Sequence, residues 1–282
     1  MIRALFIAAF FFTMTPLLIS VQWLLGKLRL PGWGFIACNY YRVLCKLLGI
    51  KVRLDGAPTR ERAVLYVCNH VSWADILVIG AVTPVAFVAK KEVRAWPLVG
   101  ITAELQRTVF VDRERRQQAA DAVGEIVKRL EAGTSVVLFA EGTSSDGNRV
   151  LPFRSALLGA VKQVAARGPA GDNILVQPMS ISYTGVHGIA MGRRHRPLAA
   201  WYGDLDFMPH IKAFIARGAV DAVVSYAEPV GLDGAMDRKA LTRRLESAVR
   251  RLMTDALLER PQLTPAASKE TVMPLPASAA AS

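Results

Sequence analysis

The segment Cys68-Asn69-His70-Val71-Ser72-Trp73-Ala74-Asp75 sets an imidazole and a carboxylate on one short stretch with four residues between them. An imidazole titrates near neutral pH, so it can take a proton from an attacking hydroxyl as a bond forms, and a neighbouring carboxylate can fix its tautomer. The apolar run Ala63-Val64-Leu65-Tyr66-Val67-Cys68 reads as an interior strand. His70 then stands at its carboxyl end, where open α/β sheets place their clefts. Ser72-Trp73-Ala74-Asp75 equally fits a helix capping box, with Ser72 as the cap and Asp75 reaching back to the Ser72 amide. The spacing by itself leaves both readings open.

Three further segments end apolar runs with polar side chains. Phe110-Val111-Asp112-Arg113 closes a strand with an acid and a base; its structural reading is Asp112 as a helix N-cap and the following arginines as a solvated first turn. Leu138-Phe139-Ala140-Glu141-Gly142-Thr143-Ser144 puts a carboxylate, a permissive glycine and hydroxyls after a very apolar strand. That arrangement lets main-chain amides approach a polar ligand, although Ser145-Asp146-Gly147-Asn148 just beyond it also suits an ordinary turn. Val176-Gln177-Pro178-Met179-Ser180 carries a proline inside a strand-like run, which predicts an edge strand or a strand end.

The elements that must hold these groups alternate along the chain. Strands are predicted at 51–54, 63–68, 85–89, 107–111, 134–140, 174–183 and 219–226, with helices at 72–81, 114–132, 155–166 and 237–258. This order predicts an α/β fold, a mainly parallel or mixed sheet covered by helices. Ala119, Val123, Ile126, Val127 and Leu130 share one helix face that Gly133 is placed to end, and Leu241, Leu245, Val249 and Leu252 form a core-facing stripe near the C-terminus. Three regions follow: membrane-anchoring helices over 1–50, a catalytic domain over 51–260, and a disordered Pro/Ala/Ser tail over 261–282.

Composition narrows the surroundings. A chain that is 52% hydrophobic yet carries a net charge of +12 suits a membrane surface. Ala4 to Gly26 is uncharged and long enough to span a bilayer, while Trp33 to Ile50, with Arg42 and Lys46 four apart, predicts a second helix lying in the interface. Seven basic and no acidic residues precede Asp55, a bias suited to anionic headgroups of an inner membrane whose cytoplasmic side bears the catalytic domain. Cys38, Cys45 and Cys68 have no metal-ligand spacing and point to a reduced compartment without disulfides. His187, His195 and His210 lie in basic or loop-like sequence and supply no metal set around His70 and Asp75. No Gly-x-Ser-x-Gly elbow marks a serine hydrolase, and no aromatic-interleaved basic motif marks a nucleic-acid binder. A non-enzymatic basic membrane protein accounts for the charge, but not for the polar groups gathered at strand ends.

The order and spacing of these blocks resemble the glycerolipid acyltransferase family. His70 through Asp75 matches its His-x4-Asp block, Phe110 to Arg113 its second block, Phe139 to Ser144 its Glu-Gly-Thr block, and Val176 to Met179 its proline block. Two positions depart from the pattern: Arg107 stands where many members have glycine, and Phe153-Arg154-Ser155-Ala156 replaces a phenylalanine-lysine-x-glycine run. The resemblance implies a glycerol-3-phosphate acyltransferase-like fold and direct transfer of an acyl chain from acyl carrier protein or coenzyme A to a lysolipid hydroxyl, with no further cofactor. It also implies that His70 is the base and Asp75 its partner. Arg113, Glu141, Gly142 and Thr143 would hold the acceptor headgroup, assisted by Lys90 and Arg154. The acceptor typical of the family is 1-acyl-sn-glycerol 3-phosphate. Glu141 to Arg149, with Trp201-Tyr202-Gly203-Asp204, resembles instead the subgroup that acylates lyso-ornithine lipid.

Overall fold

The chain places the ends of its most apolar strands along one edge of a mixed sheet. The computed structural model describes residues 2–28, 30, 32–59, 62–96, 98–111, 116–165, 174–231 and 237–258. Its strands are β1 (Ile50–Asp55), β2 (Val64–Cys68), β3 (Ala86–Lys90), β4 (Val109–Val111), β5 (Val136–Phe139), β6 (Leu175–Val186), the short β7 (Ile189–Ala190), β8 (Val220–Tyr226) and the short β9 (Val230–Gly231). They run in the order β1-β8-β6-β2-β5-β3-β4, with β7 and β9 attached to β6. β2 is parallel to both β5 and β6, and β3 is parallel to β4 and β5, whereas β8 is antiparallel to β6. Every residue of β2 and β5 is buried, as expected of central strands covered on both faces.

Two apolar layers cover the sheet. On one face lie α2 (Trp33–Leu48), α3 (Ala74–Val82) and α7 (Phe207–Arg217), contributing Tyr41, Leu44, Val78, Ile79 and Phe214. On the other lie α5 (Arg116–Glu131), α6 (Ser155–Ala165) and α8 (Arg238–Leu258), contributing Ile126, Leu130, Leu158, Leu245 and Val249. Val123, Ile126, Val127 and Leu130 of the predicted α5 stripe are therefore core residues, as are Leu241, Leu245 and Val249 of α8, where Met253 takes the buried place expected of Leu252. Gly133 follows α5 with φ +76°, and its amide donates to the Leu130 carbonyl at 3.0 Å, closing the last turn.

The structure corrects several expectations. β6 is an interior strand, with Pro178 opposite Val67 of β2. The proline is accommodated because its own main-chain atoms face a seam on the other side, where β9 stops at Val176 and β8 begins at Met179. The Pro178 carbonyl there accepts from the Ala227 amide at 3.0 Å, and no ladder partner is left asking for the missing N–H. β4 starts two residues later than predicted, because Arg107 turns the chain at φ +60°. Its guanidinium stacks on Trp33 at 4.7 Å and donates to the Thr134 hydroxyl at 2.9 Å, contacts that offset a conformation in which glycine is unstrained. Two short helices, α4 (Val99–Leu105) and α7, were not predicted. The tail and the segment holding Asp112 and Arg113 lie outside the described residues.

The N-terminal helices also differ from expectation. α2 does not lay its apolar face in an interface: Tyr41, Leu44, Cys45 and Leu48 are buried against the core, and Gly80 of α3 leaves room for the Tyr41 ring. Arg42 of α2 donates to the Ala81 carbonyl at 2.8 Å and so ties α2 to the end of α3. α1 (Ile2–Lys27) is long and apolar enough to cross a membrane, with mean hydropathy 2.2 over Arg3–Lys27. It lies antiparallel along α2, because Arg3 donates to the Leu47 carbonyl at one end and the Gln22 amide reaches the Trp33 carbonyl at the other. Ile7, Thr15 and Gln22 face the domain; Leu5, Phe6, Phe12, Leu17 and Trp23 face outward and are exposed.

Candidate active site

β2 ends at Cys68, level with Phe139 of β5 and Met179 of β6. Beyond that point the two neighbouring strands hold the loop with side chains. Asn69, fully buried, continues the pairing towards β6: its amide donates to the Ile181 carbonyl and accepts from the Ile181 N–H, both at 2.9 Å. On the β5 side, Glu141 accepts the His70 N–H at 2.9 Å. The His70 carbonyl accepts from the Ser145 amide at 2.8 Å, and the Val71 carbonyl from the Trp201 amide at 2.9 Å. The main chain that carries the imidazole is thus tied down on both sides before any ligand arrives, the condition that pre-organised catalysis needs.

The His70 Nδ1 lies 2.7 Å from Asp75 Oδ2. The same oxygen accepts the Val71 N–H at 2.7 Å and the Ser72 N–H at 3.0 Å, while Oδ1 accepts the Tyr183 hydroxyl at 2.8 Å. Four donors on a fully buried carboxylate offset the cost of taking its charge out of water. Because Asp75 receives donors on Oδ2, Nδ1 carries its proton and Nε2 presents a lone pair. Nε2 has no hydrogen-bond partner among the described residues, and the imidazole is 23% exposed beside an Asp75 that is 0% exposed. Beneath it the ring stacks on Phe139 at 4.1 Å, which in turn stacks on Phe87. Half of the capping box is present, since Asp75 does reach back to the Ser72 amide. The other half is not: α3 starts at Ala74, and the buried Ser72 hydroxyl has no partner among the described residues.

Glu141, expected at the acceptor headgroup, supports the loop that carries His70. One oxygen takes the His70 amide, the other takes the Leu151 amide at 2.7 Å, and the residue is 2% exposed. Burial pushes its carboxyl up to about 8, and the Asp75 charge pushes the same way. Gly142 has φ +73°, and the Arg154 side chain crosses so close above it that a Cβ would lie 2.8 Å from the arginine Cδ. Arg154 and Thr143 are exposed around this turn. Lys90 is exposed at the end of β3, which by register is level with Asn69, about 10 Å away across the width of two strands. Arg113 falls outside the described residues.

No competing nucleophile adjoins the imidazole among the described residues. The Cys68 thiol is fully buried, and burial raises its pKa well above the ordinary thiol value, so it is no thiolate. His210 accepts from the Trp73 indole at 3.0 Å, and His187 pairs with the Arg217 carbonyl, so both serve packing. The residues that sequence reasoning missed are Asn69 as a bridge and Tyr183 as a partner of Asp75. The legible signal for Tyr183 was its place two and four residues beyond the apolar Ile181 and Met179 on one face of a strand.

The loop geometry suits proton abstraction from a hydroxyl, and similarity to known proteins identifies the transferred group. The acyltransferase family model matches residues 50–182, which contain His70, Asp75 and Glu141. Lyso-ornithine lipid O-acyltransferase of Brucella abortus (strain 2308) is 46% identical over 260 residues, covering 92% of this chain and 97% of that protein. This chain belongs to the acyltransferase family. The enzyme is also similar to lyso-ornithine lipid O-acyltransferase of Rhizobium meliloti (strain 1021), 43% identical over 86% of this chain and 83% of the relative. More distant is 1-acyl-sn-glycerol-3-phosphate acyltransferase of Neisseria gonorrhoeae, 28% identical over 71% of this chain and 72% of that one. The acyltransferase shares its fold with the crystal structure of the 1-acyl-sn-glycerophosphate acyltransferase PlsC from Thermotoga maritima, with a TM-score of 0.62 over 90% of this chain and 96% of that one at 22% identity.

Proposed function

We propose that this acyltransferase moves an acyl chain from the thioester of acyl carrier protein or coenzyme A to the free hydroxyl of a lysolipid, with His70 as general base. The observation that carries this reading is the Nδ1 contact to Asp75, which leaves Nε2 as the basic atom of an imidazole that is partly exposed. As the lipid oxygen attacks the thioester carbonyl, its proton passes to Nε2 and Asp75 steadies the imidazolium. When the carbon–sulfur bond breaks, that proton leaves with the thiolate, giving an ester and a free thiol. A buried Cys68 and a buried Ser72 favour this direct route over a covalent intermediate.

For the acceptor, similarity over nearly full length to lyso-ornithine lipid enzymes favours lyso-ornithine lipid. Its two characteristic segments meet at the active loop: the Ser144 hydroxyl donates to the Trp201 carbonyl at 2.6 Å, and the Trp201 amide holds Val71. Lysophosphatidate is the second reading, favoured by relatives of that specificity at 28% identity. Lys90, Arg113, Thr143 and Arg154 are the groups for an anionic headgroup, since guanidinium and ammonium suit carboxylate and phosphate alike. The outward apolar side of α1 would seat the enzyme on the cytoplasmic leaflet of the inner membrane, with basic residues meeting anionic lipid.

The test is acyl transfer by the full chain with both lysolipids offered as acceptors, for the parent and His70→Ala. Loss of the base is expected to lower turnover by about a hundredfold to ten-thousandfold. Equal turnover would remove His70 from the mechanism, and a preference for lysophosphatidate would reverse the acceptor reading.

A further inference from the structure

We infer that Tyr183 is a positioning residue for the His70–Asp75 pair, acting through the second carboxylate oxygen; this rests on the proposed role of His70 as base. The two Asp75 oxygens are used unequally. Oδ2 collects the imidazole and two main-chain amides, all supplied by residues 70 to 72, whereas Oδ1 has the Tyr183 hydroxyl as its partner among the described residues. Local sequence therefore closes one half of the carboxylate, and a strand 108 residues away closes the other. Asp75 and Tyr183 are 0% and 3% exposed, so water does not take the place of this bond.

The backbone around Tyr183 is shaped for the contact. Met179, Ile181 and Tyr183 point to the face covered by α3, and the pairing of β6 with β8 slips between Tyr183 and Gly185. A register slip of this kind bends a strand and re-aims the side chain beside it. Burial and the adjacent Asp75 charge hold the phenol well above its ordinary range, so it keeps its proton and donates. Cys68 and Glu141 also feel the Asp75 charge, yet neither bonds to the carboxylate. The consequence is chemical as well as geometric. A donor on Oδ1 draws charge away from Oδ2, so Asp75 orients the imidazole without holding the imidazolium so firmly that the proton cannot move on to the leaving thiolate. It also prevents the carboxylate from turning and offering the wrong oxygen to Nδ1.

The experiment compares the parent, Tyr183→Phe, and the parent with 3-fluorotyrosine at position 183, measuring kcat and KM across pH. Removing the hydroxyl is expected to lower kcat about five- to thirtyfold with little change in either KM. The acid limb of the kcat profile should move to higher pH, because Asp75 then binds the imidazolium more tightly. Fluorotyrosine is a stronger donor, and its acid limb should move the other way. Val224→Ala, a buried change in the same apolar layer on the neighbouring strand β8, controls for lost packing and should leave the profile in place. An acid limb unmoved by Tyr183→Phe, or displaced in the same direction by both changes, overturns the inference. If Tyr183→Phe does not fold, the fluorotyrosine enzyme, which retains the hydroxyl, decides alone. Should His70→Ala turn over like the parent, the base assignment fails first; an inactive His70→Ala beside unmoved profiles refutes Tyr183 only.

Discussion

Replacing Asp75 by asparagine tests how the loop holds its charge, because the structure dictates which way the amide must sit. Where such a change turns an NH2 toward the imidazole, the wrong tautomer results and kcat falls by about ten-thousandfold. Here the Oδ2 position also receives the Val71 and Ser72 amides at 2.7 and 3.0 Å, so an NH2 placed there would meet two main-chain donors. The asparagine oxygen is therefore held at that position, and its NH2 faces the Tyr183 hydroxyl, which can rotate to accept. The correct tautomer survives, and what is lost is the carboxylate charge opposite the imidazolium. Exchanging a charge-assisted hydrogen bond for a neutral one, with less stabilisation of the transient cation, removes about 1.5 to 4 kcal/mol. That corresponds to a drop of about ten- to a thousandfold in kcat. The assay is steady-state acyl transfer beside thermal unfolding of the same samples. Full activity with a lowered melting temperature would reduce Asp75 to a loop brace. A loss of ten-thousandfold or more in a normally folded enzyme would show that the two amides do not fix the orientation.

Other consequences are equally specific. Glu141 has its folded-state pKa raised from 4.5 to about 8, so the folded enzyme holds a proton that the unfolded chain releases. Its contribution is most favourable below the ordinary carboxylate pKa and is lost as pH rises toward 8; the melting temperature of the parent should fall across that window relative to Glu141→Gln. A difference between the two that stays constant from pH 5 to 9 refutes the shift. Asn69→Ala leaves the Ile181 N–H and carbonyl buried without partners and should cost about 2 to 4 kcal/mol in a denaturant titration. A midpoint equal to that of the parent would mean that β6 finds other partners. Asp75→Ala strands three buried donors at once and is expected to give little folded enzyme on expression, unlike the asparagine variant.

Much of the core was legible because each signal fits within one element. The stripes of α5 and α8 and the all-apolar runs of β2 and β5 report burial directly, since helix and strand periods repeat within a few residues. Pro178 misled for a physical reason: whether a proline sits at an edge depends on where the partner strands stop, and β8 and β9 leave a seam that no local pattern encodes. α2 misled in a similar way, because an amphipathic helix reads alike whether its apolar side meets lipid or the Gly80 groove of α3. Glu141 was expected at the headgroup, yet a carboxylate after a strand cannot announce that main-chain amides 71 and 10 residues away will occupy both its oxygens.

Sequence alone determined the chemistry available: an imidazole and a carboxylate at helix-entry spacing after a buried strand, and a basic, apolar N-terminus. Those features rest on residue type and short-range periodicity. Tertiary structure decided how the pair is used, by bringing Tyr183 to the far oxygen of Asp75, Ile181 to Asn69 and Trp201 to Val71, and by laying α1 along α2. These contacts join residues 44 to more than a hundred positions apart. Only the closing of the sheet makes them neighbours.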